Sequence, residues 1–317
     1  MKTFIHTIIF GFTVAALAVS CNKADSSFPN PADRNQGRAD GFFEVSLSIN
    51  APHTKSSSAG QEEQVNNIQV YVFDADNGNR LETFFYGKSI KPTLRLSRGN
   101  KMFKVLVNSK ADSSKVNVLQ DLQSALSDFS DNTSSNFVMS GEKSVSIPAT
   151  TSVEISVSRL VAKVILSKIT ANFTAPVYAC QTFRVDSVYL TNVAQKCQFF
   201  GQYTPASWGK GYALTGDSVN HIVSGKVYSA GHTFYAYPNG TTTPTRLVIK
   251  ATLGNTTYYY PVDLGELQSN MVYTVTNIEI TRPGSDSEDK PVVSSEMSFT
   301  IKVAGWNSQQ NNIQEIV

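Results

Sequence analysis

The chain has 317 residues, of which 41% are apolar and 16% charged, so it is long enough to bury a substantial core and too apolar for a disordered chain or a coiled coil. At roughly 100–200 residues per domain, two domains are expected. The 27 basic and 25 acidic residues nearly cancel to +2, which counts against a nucleic-acid partner, and four His and three Cys leave little for a metal or nucleophile site, which counts against an enzyme or a bound cofactor.

Met1–Ser20 opens with Lys2 and continues through the apolar stretch Thr7–Val19. That is a charged start followed by a hydrophobic stretch too short to span a bilayer, the pattern of a signal peptide. Ala18-Val19-Ser20-Cys21 resembles the bacterial lipobox, in which the Cys receives lipid and becomes the first mature residue; the alternative is an ordinary secretory signal with a chance Cys. Asn22, not Asp, follows it, which in that resemblance favours the outer membrane over the inner. Residues 21–40 read as a polar tether.

Strand patterns then take over. Val45, Leu47 and Ile49 alternate with polar residues, and a polar loop, Asn50–Asn66, follows. Ile68, Val70 and Val72 mark a second strand that stops at Asp74-Ala75-Asp76-Asn77-Gly78, a turn sequence. Leu81–Tyr86 can pair back as a hairpin. Leu94 and Leu96 mark another strand, Gly99-Asn100 a turn, and Lys101–Asn108 the next strand. Leu119, Leu122, Leu126 and Phe129 recur at three and four and predict a helix over 118–129, with Asn117 as cap and Asp121 in the first turn. Strands resume at Val145–Ile147 and Val153–Val157. Leu160, Ala162, Val164 and Leu166 alternate in a run whose register is shifted past Ser158, the mark of a bulge or a crossing between sheets.

The second half is almost all strand-like: Phe183–Leu190, Gln198–Phe200, His232–Tyr237, Arg246–Thr252, Thr256–Val262, Met271–Ile280, Ser298–Trp306 and a short edge strand in Asn312–Val317. The expected fold is mainly β, with two β-sandwich-like domains at 41–168 and 169–317 and one small helix in the first. With Cys21 lipidated, Cys180 and Cys197 remain; they either form a disulfide across a hairpin or stay as two buried thiols.

Several segments recur in a familiar order: the lipobox and tether, Ile68–Asp74, Met139-Ser140-Gly141, Ser158-Arg159-Leu160-Val161-Ala162-Lys163-Val164, Asn270–Thr276 and Val303-Ala304-Gly305-Trp306. Together they resemble the fimbrillin family of Bacteroidales, and Arg-Leu-Val-Ala-Lys is the most specific of them. The resemblance implies two transthyretin-like β-domains, export as a lipoprotein and cutting outside the cell by an arginine-directed protease. It also implies assembly into a fimbrium (pilus) by donor-strand exchange, serving adhesion and biofilm growth. The cut opens a hydrophobic groove, and a strand of a neighbouring subunit fills it, covering apolar side chains and unpaired backbone groups together. Partners are then copies of the chain or other fimbrial subunits, the outer membrane through the lipid anchor, and a host or bacterial surface receptor.

Carried onto this chain, the cut follows Arg38, leaving Ala39 as the new N-terminus, with Arg34 as second choice. The strong alternation of Val45–Ile49 lies after Arg38, so the removed part carries little strand pattern, which leaves open an unprocessed, lipid-held anchor or tip subunit. Met1–Arg38 holds four basic and two acidic residues, so the remainder has 23 of each. The donor side chains would be Phe299, Ile301, Val303, Ile313, Ile316 and Val317; the alternative is a strand that stays in its own domain. Trp306 reads as a core aromatic.

No catalytic constellation stands out. No carboxylate has a spacing that ties it to His221 or His232, and there is no phosphate loop or nucleophile elbow. Asp74–Gly78 lacks the distal Glu of a calcium loop and reads as a turn. Tyr258-Tyr259-Tyr260 with Phe234, Tyr235 and Tyr237 would suit a glycan surface if exposed, but such aromatics also fill sheet cores, the favoured reading.

Overall fold

The computed structural model describes residues 41–52, 59–202, 204–212, 218–224, 227–229, 231–240, 242–290, 292, 297–306 and 314–316. The expected signal peptide and tether, with Cys21, Arg34, Arg38 and Ala39, lie outside the described residues.

In chain order, the first part comprises β1 (Phe42–Asn50), α1 (Ala59–Glu62), β2 (Ile68–Asp74), β3 (Arg80–Gly87), β4 (Thr93–Ser97), β5 (Gly99–Val107), α2 (Leu119–Ser124), β6 (Leu126–Asp128), β7 (Met139–Ile147), β8 (Ser152–Ser156) and β9 (Ser158–Arg159). One sheet has the order β4-β1-β8 and another β3-β2-β5-β7-β9. β1 lies antiparallel to β4 and parallel to β8. Period-two patterning explains the three-stranded sheet: Val45, Leu47, Ile49, Leu94, Leu96, Val153 and Ile155 are all buried, in one core with Val70, Phe103 and Val105 of the other sheet. β2 is buried on both faces from Ile68 to Phe73. Such a strand loses alternation and reads as a continuous apolar run.

The Asp74–Gly78 segment is a turn, with Gly78 at φ 63° and Asn79 at φ 56°. Its carboxylates serve the fold. Asp74 lies 3.2 Å from the Nζ of Lys101, whose side chain is fully buried, and Asp76 accepts the backbone N–H and side-chain amide of Asn100 at 2.7 and 2.9 Å.

The second part comprises β10 (Ala162–Leu166), β11 (Ile169–Ala171), α3 (Pro176–Ala179), β12 (Phe183–Ala194), β13 (Lys196–Gln198), β14 (Trp208–Tyr212), β15 (Ser218–Ile222), β16 (Val227–Tyr228), β17 (His232–Ala236), β18 (Arg246–Leu253), β19 (Thr256–Asp263), β20 (Met271–Ile280), β21 (Met297–Gly305) and β22 (Gln314–Ile316). A seven-stranded sheet follows β16-β11-β20-β10-β17, with β21 beside β20 and β22 beside β21. A five-stranded sheet follows β14-β12-β18-β19, with β15 beside β12. Val164, Ile169, Val188, Leu190, Ile249, Val275 and Ile301 share a second core. β6 pairs with β13, so the two parts also meet through a backbone ladder.

Three expectations need correction. The helix predicted over 118–129 ends at Ser124, and Leu126 belongs to β6. β13 offers its backbone there, pairing Cys197 with Ser127, and the Tyr237 hydroxyl lies 2.8 Å from Ser127 Oγ. Asn117 is not the cap; the Asp121 carboxylate accepts the N–H groups of Asn117 and Val118 at 2.8 and 3.0 Å. The run Leu160–Leu166 is not one strand: β9 pairs with β7 and β10 with β17 and β20, so the chain crosses between sheets within it, the second of the two options its shifted register left open. The expected division at 168/169 falls at β11, which is paired with β20, while the passage between cores lies at 159–162.

Candidate functional site

β1 starts four residues after the candidate cut at Arg38, and it is the middle strand of its sheet. Val45, Leu47 and Ile49 are at most 3% exposed. A cut after Arg38 therefore leaves this strand in place, hydrogen-bonded on both sides.

At the other end, β21 is paired with β20 along its length, from Met271↔Gly305 to Ile280↔Met297. Ile301 is fully buried in the second core, and Phe299 and Val303 pack against it. These three side chains belong to the chain's own sheet. β22 is different in kind: three residues long, it is paired, among the described residues, with β21 alone, at Ile301↔Ile316, Lys302↔Glu315 and Val303↔Gln314. Ile316 is in this strand; Ile313 and Val317 lie outside the described residues.

Cys180 and Cys197 are free thiols, not a bridge. Cys180 is exposed after α3, and Cys197 is buried in β13, where burial pushes its thiol up to about 12. The hairpin that would have joined them is absent, because β12 between them is 12 residues long and pairs instead with β14, β15 and β18. Among the described residues no group of His, Cys, Asp and Glu could hold a metal ion. Phe234, Tyr237 and Tyr260 are fully buried and Tyr235 is 8% exposed, so these four fill the core, while Tyr258 and Tyr259 are half-buried. His221 and His232 do come together, flanking the Tyr228 ring at 5.0 and 5.8 Å, with His232 Nε2 2.8 Å from the Tyr228 hydroxyl.

The most specific motif, Arg159–Lys163, and the Gly305-Trp306 end converge on one carboxylate. Glu62 closes the four-residue α1, inside a segment that reads as polar loop, yet is 5% exposed. Its Oε1 accepts from Lys163 Nζ and the Tyr235 hydroxyl, both at 2.7 Å. Its Oε2 accepts the Trp306 indole N–H at 3.3 Å. Arg159, fully buried, donates from Nη2 to the Glu62 carbonyl at 3.1 Å and lies 4.6 Å from the Trp306 ring centroid. Tyr235 stacks on Trp306 at 5.7 Å with an interplanar angle of 10°, and Phe137 meets that indole edge-on. The cluster ties the loop after β1 to the crossover and to the end of β21. Three donors hold the carboxylate, so the cluster positions these segments against each other.

Glu62 itself carries no local sequence signal. The signal lay in its partners: two cations four residues apart in an otherwise apolar run require a buried anion between or beside them.

Electrostatics fix a pH dependence. Burial pushes the Glu62 carboxyl up, but hydrogen bonds from Lys163, Tyr235 and Trp306 outweigh it, so its pKa lies below the ordinary 4.5. A depressed carboxyl pKa contributes stability that is present above 4.5 and is lost as pH falls through the folded value. Burial lowers the His232 pKa below 6.5, so the unfolded chain takes up that proton first and stability falls as pH drops below 6.5. Denaturant unfolding from pH 8 to 3 is expected to show both losses. His232→Phe should remove the loss that begins below pH 6.5, and Glu62→Gln should reduce the one below pH 4.5, which the depressed carboxyls of Asp76, Asp112, Asp121, Asp286 and Glu288 share. Unchanged pH profiles in these variants would contradict the assignments.

Two mainly β parts, tied at the crossover and at the end of β21 through one buried carboxylate, define a mainly β protein of two packed parts. The family described as fimbrillin-A associated anchor proteins Mfa1 and Mfa2 matches residues 40–312, and the chain belongs to it. No curated protein matches the chain. Among solved structures, a candidate cell adhesion protein from Bacteroides eggerthii is 23% identical with a TM-score of 0.63, over 83% of this chain and 95% of that one. A fimbrilin (fimA) from Porphyromonas gingivalis is 15% identical with a TM-score of 0.61, over 83% and 97%. The tip fimbrial protein Mfa3 of the same species, with a C-terminal truncation, is 16% identical with a TM-score of 0.54, over 83% and 100%. At these identities the likeness is one of fold.

Proposed function

We propose that this chain is a structural, adhesion-related component of a cell-surface fimbrium, built of two β-sandwich lobes, exported as a lipoprotein through Cys21 and joined to its neighbours by strand donation. Family membership supports the surface and adhesion role. The observation that carries the strand-donation step is β22, a three-residue strand at the outside of β21. Few backbone bonds hold such a strand, so exchanging it into a neighbour's groove is the least costly rearrangement available. The donor is then residues 307–317, with Ile313, Ile316 and Val317 as groove-filling side chains, while Phe299, Ile301 and Val303 stay at home.

A second reading is a lipid-held anchor that is never cut. It is favoured by the family's description as anchor proteins and by β1, which is paired on both sides, with β4 and β8, so that among the described residues a cut after Arg38 vacates no strand position. The test is N-terminal sequencing and intact mass of the surface form, with electrophoresis after mild denaturation. Polymerisation predicts Ala39 as first residue and a ladder of multimers, which disappears when the chain ends after Trp306. A lipidated Cys21 on a monomeric surface form would overturn it and leave the anchor reading.

A further inference from the structure

A cleft of about 630 Å³ opens where the two parts meet, and neither strand donation nor the buried cluster uses it. Residues 140–142, 156 and 158 form one wall; 198–202 and 266–269 form the others. Its floor includes the buried Leu160, Phe199 and Leu267. We propose that this cleft binds a neutral oligosaccharide.

Its volume lies within the range of about 300–1,000 Å³ typical of small-molecule sites. The walls are held to each other and to the floor. Ser269 Oγ donates to the Leu160 carbonyl at 2.9 Å, Asn270 N–H to that of Val161 at 3.0 Å, and the β6–β13 ladder fixes the strand from which Phe199–Gln202 leaves. Arg159, also in the lining, is clamped by Glu62. The cleft is therefore pre-formed, and a ligand need not pay to open it.

Its chemistry is that of a site for hydroxyl groups. Gln198, Gln202, Gln268, Ser140, Ser156 and Ser158 line the cleft, and among the described residues their side chains make no hydrogen bond. Amides and hydroxyls both donate and accept, as sugar hydroxyls require. Phe200, half-buried in the lining, offers apolar surface for the C–H face of a sugar ring, and the buried Phe199, Leu160 and Leu267 back the cleft. The charged lining argues for neutrality. Glu142 is paired with Lys104 and Arg159 is taken up by Glu62, while Glu266 stands at the rim and repels an anionic sugar.

The test uses the full chain, with a chain ended after Trp306 run beside it, so that failure of strand donation does not bear on it. It is titrated with neutral hexose and N-acetylhexosamine di- and trisaccharides, with sulfated and sialylated counterparts and an extended peptide as competitors. Saturable binding of a neutral sugar is expected, weakened about tenfold by Gln198→Ala or Gln268→Ala, the loss of one well-made hydrogen-bonded contact. Gln202→Trp, at an exposed position, should block the cleft and abolish binding while the circular dichroism spectrum is unchanged. Absence of binding to every neutral sugar overturns the proposal. So does binding insensitive to all three substitutions, or a preference for the anionic sugars or the peptide.

Discussion

Glu62→Ala is expected to destabilise the protein by about 3–5 kcal/mol, the cost of removing one partner of a buried ion pair. The reason is what it leaves behind. Lys163 Nζ loses its 2.7 Å contact in a place where its side chain is 12% exposed, and the Tyr235 hydroxyl and Trp306 indole N–H lose their acceptor. Arg159 keeps the Glu62 carbonyl but loses the nearby negative charge that balances it. For a body of this size the unfolding midpoint should fall on the order of 10 °C. Glu62→Gln keeps the shape and an acceptor oxygen and should fall between parent and Ala. Lys110→Ala breaks a pair in which the lysine side chain is 72% exposed, and is expected to leave the unfolding midpoint essentially unchanged. If Glu62→Ala unfolds within 1 kcal/mol of the parent, the cluster is not the tie described here; denaturant titration reads it directly.

Ending the chain after Glu296 is expected to prevent folding, whereas ending it after Trp306 should leave a folded monomer. The shorter chain loses Met297, Ile301 and Trp306, all buried, and the packing of Phe299 and Val303 against the second core. Each fully buried apolar side chain of this kind contributes about 1.5–3 kcal/mol, against a total stability of about 5–15 kcal/mol. It also strips the backbone partners from one side of β20. Ending after Trp306 removes only the outer strand β22 and the segment before it. Solubility, circular dichroism and thermal unfolding of the two truncations separate the cases. A folded, soluble chain ending at Glu296 would mean that β21 is dispensable to its own sheet and would return Phe299, Ile301 and Val303 to the pool of donor side chains.

Legibility differed by element for physical reasons. β1, β4 and β8 have one buried and one open face, so alternation announced them. β20 was legible end to end because seven of its ten residues are Val, Ile, Thr or Tyr, which favour extended backbone. β14, β15 and β16 went unseen. They are short or rich in Gly and polar residues, as in Trp208–Tyr212, and they lie at sheet edges, where partners and not pattern decide pairing. β11 was read as a break because Ser167-Lys168-Ile169-Thr170 is brief and polar, yet β20 supplies a parallel partner there. The 118–129 helix was overextended because Leu122 and Leu126 are spaced equally well for a helix that continues and for one that yields to a strand; β13 made the choice.

By itself the sequence determined the class of the protein. Alternation with frequent turns specified a mainly β chain, and ordered motifs pointed to its family, because both are local or linear properties that survive without coordinates. The tertiary structure decided what those motifs are for. Arg159, Lys163 and Trp306 matter because three distant stretches of chain bring them to Glu62, and only a folded core turns two cations in an apolar run into a demand for that carboxylate. It likewise separated the two C-terminal strands: β21 is paired on both sides, to β20 and to β22, with Ile301 buried in the core, whereas β22 is paired, among the described residues, to β21 alone.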